Sequence, residues 1–346
     1  MAAHVETMAW TGQKPWHDQG REVSPDMDIE EWLVAAGLDW TVSAQSVYLR
    51  REKVSETGEV IESFEKDDRC KFLIRDSDGF VLDRGLGDRY KPVQNADAFE
   101  VFRKYVEIGG MTMDTAGSLK DGQYVWGLAK LNQGFTLGNG DDVEGNLLMM
   151  SPHKYGKAMQ VRLTPTRVVC WNTLSIALAE EDIEGITTFR HNHAGAFTDD
   201  SIKKMENTIG LASKYMSEFE EQARLMASKR MPQADQVRYM ANIFDPEFLA
   251  ACKRGKMSIP TTFDDYMTHD FSGRTIRKII RSYPDEQRDI STAEGTVWGA
   301  FNMVTFAWDH LIGRTNDNKL ETAWIGRGAS VKNEALAMAV AYAKAA

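Results

Sequence analysis

The pattern of apolar residues changes once along the chain, near Asp199, and that change constrains the fold more than any single motif. Before it, short apolar runs are broken at Gly117, Asp121-Gly122, Gly138-Asn139-Gly140 and Gly156. Turn residues at these intervals predict strands, most clearly at Tyr124 to Leu131, Gly145 to Met150 and Ala158 to Leu163. After it, apolar residues from Ile202 through Met205, Ala212, Met216, Phe219 and Ala223 to Met226 recur at helical spacing. They predict one long helix ending near Arg230, before Pro232. More helices are expected around residues 233–242, 246–255, 273–282, 292–312 and 331–344. Strands followed by helices make the expected class α+β, with a mixed or antiparallel sheet in the N-terminal half and a helical C-terminal half. The expected division is 1–198, mainly β with a few helices, and 199–346, mainly helical, as two parts or one continuous domain.

Local signals refine the first half. Ser24-Pro25-Asp26-Met27-Asp28 starts a helix carrying Trp32, Leu33 and Ala36, which Gly37 ends. Trp40 to Leu49 alternates as a strand, whereas Glu52 to Arg69 is charged and predicts an exposed hairpin tip or a loose loop. Phe72-Leu73-Ile74 and Phe80-Val81-Leu82 flank the turn Asp76-Ser77-Asp78-Gly79. Asn95 is expected to cap a helix bearing Phe99, Phe102, Tyr105 and Val106. Thr166 to Ala179 has helical spacing, and Ile186 to His191 suits a strand.

Three scattered cysteines, Cys70, Cys170 and Cys252, fit reduced thiols and a cytoplasmic protein. No apolar run approaches the roughly 18 residues of a membrane span, and Met1 to Gly20 lacks a signal core. The formal net charge is −10, which excludes a protein whose whole surface coats nucleic acid. Residues 1–200 carry −12 and residues 201–346 carry +2, so a polyanion-binding face is expected in the second part.

Arg274, Arg277, Lys278 and Arg281 supply that face. Their i, i+3, i+4 and i+7 spacing places them on one side of a helix, with Ile276, Ile279, Ile280 and Tyr283 opposite. A solvated face of an amphipathic helix would look the same. Arg327 lies in Gly326-Arg327-Gly328 before the last helix, where free amides can hold phosphate, although a structural turn is the commoner outcome. Asn172, Arg190 and His191 form a second, ligand-binding candidate.

His191 and His193 would share a strand face, and His153 with Asp141, Asp142 or Glu144 could complete a metal site. The spacing does not require one, and acids after a glycine-rich turn ordinarily face water. No Walker or calcium-loop motif is present, so no metal or cofactor is assigned. Cys170 lacks a papain-like or redox pattern and reads as a buried thiol.

The order of several short pieces resembles the phage/plasmid-like protein family, a domain of unknown function numbered 932. The pieces are Pro15-Trp16-His17, Gly37-Leu38-Asp39-Trp40, Leu86-Gly87-Asp88-Arg89-Tyr90, Val125-Trp126-Gly127-Leu128-Ala129, Arg167 to Leu174 and Arg190-His191. The resemblance extends to the Trp324–Ala329 turn. It implies a mobile-element origin and a role around phage or plasmid DNA, and it carries no catalytic residues. Three functions stay open. The leading one is non-catalytic binding of nucleic acid, with single-stranded DNA as partner, in a homo-oligomer of the annealing type. The others are binding or turnover of a nucleotide or small anion, and modulation of a host protein.

Overall fold

The structure is a computed structural model. It describes residues 5–12, 20–24, 26–87, 90–138, 140–157, 159–167, 172–173, 199–268, 273–283, 290–313, 319, 322–324 and 326–346. The fold is α+β, with sheets in the N-terminal half and helices in the C-terminal half.

The strands are β1 (Val5–Trp10), β2 (Arg21–Glu22), β3 (Val42–Val54), β4 (Val60–Arg75), β5 (Val81–Leu86), β6 (Thr112–Leu119), β7 (Tyr124–Leu137), β8 (Asp141–Pro152), β9 (Gln160–Arg167) and β10 (Asn172–Thr173). Seven of them form one sheet in the order β10-β9-β8-β7-β6-β1-β2. This sheet is mixed, because β1 runs antiparallel to β6 and parallel to β2. The other three form an antiparallel sheet, β3-β4-β5. The helices are α1 (Ile29–Ala35), α2 (Asn95–Gly109), α3 (Asp199–Ser228), α4 (Gln233–Phe244), α5 (Pro246–Lys253), α6 (Phe263–Thr268), α7 (Arg274–Ser282), α8 (Val297–Phe306) and α9 (Arg327–Ala345). A π-helical turn, Ala307–Leu311, continues α8.

The chain forms two compact units, the first drawing on Met1–Ala129, Leu148–Val161 and Thr188–Met205. In it, Asp28 and Glu31 close a capping box at the start of α1, which turns Trp32 and Leu33 inward. Gly37, at φ +65°, then reverses the chain. Helix α2 buries Phe99, Phe102 and Tyr105 completely. The expected cap residue Asn95 does something else. It is the first helical residue, and its Nδ2 donates to the carbonyls of Leu38 at 2.9 Å and Trp40 at 3.2 Å. Its Oδ1 lies 2.8 Å from His153 Nε2. Burial rewards these distant partners more than a local cap, because a buried amide left unpaired is costly.

His153 is 1% exposed, its ring packs against Trp40 at 5.1 Å, and burial holds its pKa down to about 4. A base whose pKa falls on folding makes stability rise with pH between the two values, because the unfolded chain binds the extra proton. The first unit is therefore expected to lose roughly 3 kcal/mol as pH drops from 6.5 towards 4. Denaturant melts across that range check it, and His153→Gln should flatten the dependence.

The second unit draws on Lys130–Leu147, Arg162–Thr187 and Glu206–Ala346. Its core is helical. Met216, Phe219 and Met226 of α3, Val237 and Met240 of α4, Ile276 and Ile279 of α7, and Trp298 and Phe301 of α8 are all buried together. Gly-rich turn chemistry predicts water-facing acids at 141–144, yet Asp141 is fully buried. Its Oδ2 accepts from Thr292 Oγ1 at 2.7 Å and from Trp298 Nε1 at 3.0 Å. Asp142 and Glu144 keep ordinary surface partners, Thr136 and Lys130. Buried tryptophan N–H groups need acceptors, which gives Asp141 a structural task.

Candidate nucleic-acid interface

Helix α7 presents the cationic face. It follows Gly273, whose amide donates to Tyr266 Oη at 2.9 Å, and a Cβ there would stand 2.5 Å from Asp245 Oδ2. Ile276, Ile279, Ile280 and Tyr283 are buried, so packing fixes the rotation of the helix. The opposite side must then face solvent. Arg274, Lys278 and Arg281 are exposed, while Arg277 is half-buried towards Tyr266. Three of the four expected cations thus share the surface, and α7 itself contains no acid. Among the described residues, no carboxylate forms an ion pair with Arg274, Lys278 or Arg281.

The neighbouring π-helical turn adds to this face. Its widened turn leaves terminal carbonyls to be satisfied. Lys278 Nζ donates to Leu311 O at 3.1 Å, and Lys319 Nζ donates to His310 O at 2.9 Å. The two ammonium groups thus bond consecutive carbonyls, and partial burial, then the charge of Lys278, lower the Lys319 pKa. Sequence reasoning missed Lys319, and the isolated lysine at that position carries no periodic signal. Each ammonium retains further donors after its carbonyl bond. The face can therefore hold phosphate oxygens with point charges and with the two arginine forks.

The remaining expected residues behave differently. Arg327 is exposed at the first position of α9. Its neighbour Gly328 is buried for packing, since a Cβ would stand 2.7 Å from Thr322 O and 2.9 Å from Trp308. Asn172 lies in β10, paired with Arg167, and its side chain is outside the described part. Arg190, His191 and His193 lie outside the described residues, as does Cys170. No cluster of three or more metal-ligating side chains occurs among the described residues. Nor are the described tryptophans free stacking platforms: Trp10, Trp32, Trp126, Trp298, Trp308 and Trp324 are buried, and the half-buried Trp40 packs against His153 and Arg75.

A cavity of about 730 Å³ lies in the second unit beside α4, α5 and α9. Its walls include Leu249, Met257, Ile259 and Met338, with Asp235, Arg238 and Tyr342 also lining it. Asp235 takes both polar neighbours, Arg238 at 2.9 Å and the Tyr342 hydroxyl at 2.9 Å. That engagement leaves this guanidinium poorly suited to an anion.

No described helix is long and apolar enough to cross a membrane. No curated protein and no solved structure matches the chain. A family model, described as a domain of unknown function (DUF932), matches residues 85–324, which include α7 and the π-helical turn. The chain belongs to this family.

Proposed function

We propose that the protein binds nucleic acid, without catalysis, through the exposed face of α7. The observation that carries this reading is the side-by-side exposure of Arg274, Lys278 and Arg281 with no acidic partner among the described residues. An acidic chain of net charge −10 that concentrates unneutralised cations on one short helix has a local anion site. The three cations span eight residues, about 10 Å of helix, which suits a few consecutive phosphates of a single strand. Among the described residues the tryptophans are buried or, for Trp40, packed against Arg75 and His153, which favours binding that is mainly electrostatic and so weakly dependent on sequence. The mobile-element setting implied by the family resemblance, and the cytoplasmic location expected from the scattered cysteines, agree with such a role in DNA metabolism.

Fluorescence anisotropy with a labelled single-stranded oligonucleotide tests the reading, beside a duplex control and at two salt concentrations. Binding should tighten at low salt and favour the single strand. The folded double variant Arg274→Gln/Arg281→Gln should bind more weakly. Its log–log salt slope should fall by about 1.4, because each lost single-strand phosphate contact removes about 0.7. Absence of binding at low salt, or an unchanged slope in the variant, would refute it.

A further inference from the structure

The hairpin formed by β3 and β4 is longer than its surroundings require. Strand β5 pairs with β4 only from Lys71 to Ile74. Beyond a register shift at Ser46/Val47, eight cross-strand pairs run from Val47–Asp67 to Val54–Val60 with no third strand. At about 3.3 Å per residue this two-stranded arm is about 25 Å long. Every residue from Tyr48 to Lys66 is exposed except Ser55. Among the described residues nine large apolar side chains are exposed, and six of them lie here: Tyr48, Leu49, Val54, Val60, Ile61 and Phe64. Residues directly opposite in the ladder share a face, so Tyr48, Val54, Val60 and Phe64 lie on one side and Leu49 and Ile61 on the other. A lone two-stranded ribbon is at best marginally stable in water, and apolar residues concentrated on one exposed ribbon mark an interaction surface.

The charges exclude a polyanion as occupant. Between Tyr48 and Lys66 there are four cations and five glutamates. Arg50 pairs with Glu52 and Glu62, Arg51 with Glu65, and Lys66 with Asp68. What remains available is backbone. Strand β3 is the edge of its sheet. Only at Val42 is that edge closed, where Gln94 both accepts from the Val42 N–H at 3.0 Å and donates to its carbonyl at 2.9 Å. An open edge accepts another strand.

We propose that a second copy of this chain occupies that edge, with β3 pairing antiparallel to β3 of the partner about a twofold axis at Arg51. A twofold makes every contact reciprocal. In this register Arg50 faces Glu52 of the partner subunit and Tyr48 faces Val54 of the partner subunit, so charge and apolar positions match themselves. Two marginal ribbons become one four-stranded sheet, above the three strands needed for independent stability. This arm belongs to the first unit and α7 to the second, and its test does not depend on nucleic-acid binding.

Sedimentation velocity of the full chain over a range of concentrations should show a species of twice the 39.0 kDa chain mass. Arg50→Glu should weaken it at least tenfold, and Arg50→Glu/Glu52→Arg should restore it. Under mild air oxidation, Arg51→Cys should cross-link to its own copy, whereas Lys53→Cys should not. All four positions are exposed, and matching circular dichroism would confirm folding. A chain still monomeric at roughly 50 µM would overturn the proposal. So would an unaffected dimer in Arg50→Glu, or a chain that assembles only with a different protein.

Discussion

Replacing Asp309 with alanine is expected to destabilise the second unit by about 3–5 kcal/mol, because it strands a buried charge. Asp309 sits in the π-helical turn and accepts from Lys332 Nζ of α9 at 2.7 Å. Lys332 is 0% exposed and Asp309 8%. Removing the carboxylate leaves the ammonium in a low-dielectric site with its principal countercharge gone. Removing both charges is a different experiment. Asp309→Leu/Lys332→Met should recover most of the loss, since apolar replacement of a buried pair is often neutral or stabilising. The pH dependence separates this account from simple loss of packing. Burial lowers the Lys332 pKa, while the charge of Asp309 and its hydrogen bond oppose the shift. The folded chain therefore holds this proton less tightly than the unfolded chain, and the stability contribution rises as pH climbs towards the ordinary 10.5. Without Asp309 the folded pKa falls further, so the deficit of Asp309→Ala should narrow at mildly alkaline pH. Urea melts of wild type and both variants, at neutral and alkaline pH, would show it. A deficit that stays constant with pH would mean that packing, not charge, is lost.

This pair also shows which parts of the fold are legible in sequence. The helical half was readable because burial imposes a period. Met205, Ala212, Met216, Phe219, Ala223 and Met226 recur at the spacing of one helix face, and all are buried. The same period places Ile276, Ile279, Ile280 and Tyr283 inside, and so Arg274, Lys278 and Arg281 outside. Interactions between distant residues leave no such trace. Asp141 meets Thr292 and Trp298, which lie 151 and 157 positions away. Asn95 meets His153 at a separation of 58. In sequence the β3–β4 arm looks like a tip or loop because neither face is buried, and a ribbon exposed on both faces has no alternation. Ladder pairing and cross-strand ion pairs hold it instead. Helix α6 carried a signal that was available. Thr262 Oγ1 accepts from the Asp265 amide at 3.1 Å, and Thr-x-x-Asp is the local mark of such a start.

Two glycine-to-alanine substitutions should have opposite signs, although both sit in helices. Alanine is the better helix former by about 1 kcal/mol, so propensity alone predicts stabilisation at either site. At Gly210, an exposed position of α3, nothing lies within 4 Å of an added Cβ. There Gly210→Ala should stabilise the protein by about 0.5–1 kcal/mol, partly by restricting the unfolded chain. At Gly299 an added Cβ would stand 1.9 Å from the carbonyl oxygen of Ala293 and 2.8 Å from its carbon. That carbonyl cannot swing aside freely, because it accepts from the Thr296 N–H at 3.3 Å and from Thr296 Oγ1 at 3.2 Å. Thr296 in turn caps α8, its Oγ1 accepting from the Gly299 amide at 3.1 Å. Relief of the clash must therefore displace the cap or the helix that carries Trp298 and Phe301. Gly299→Ala should cost about 4 kcal/mol, at the high end for a single substitution, through overpacking and cap loss together. Thermal melts of the two variants decide the matter. A Gly299→Ala protein as stable as Gly210→Ala would mean that Ala293 does not rest on this glycine, and that α8 has room to move against the loop before it.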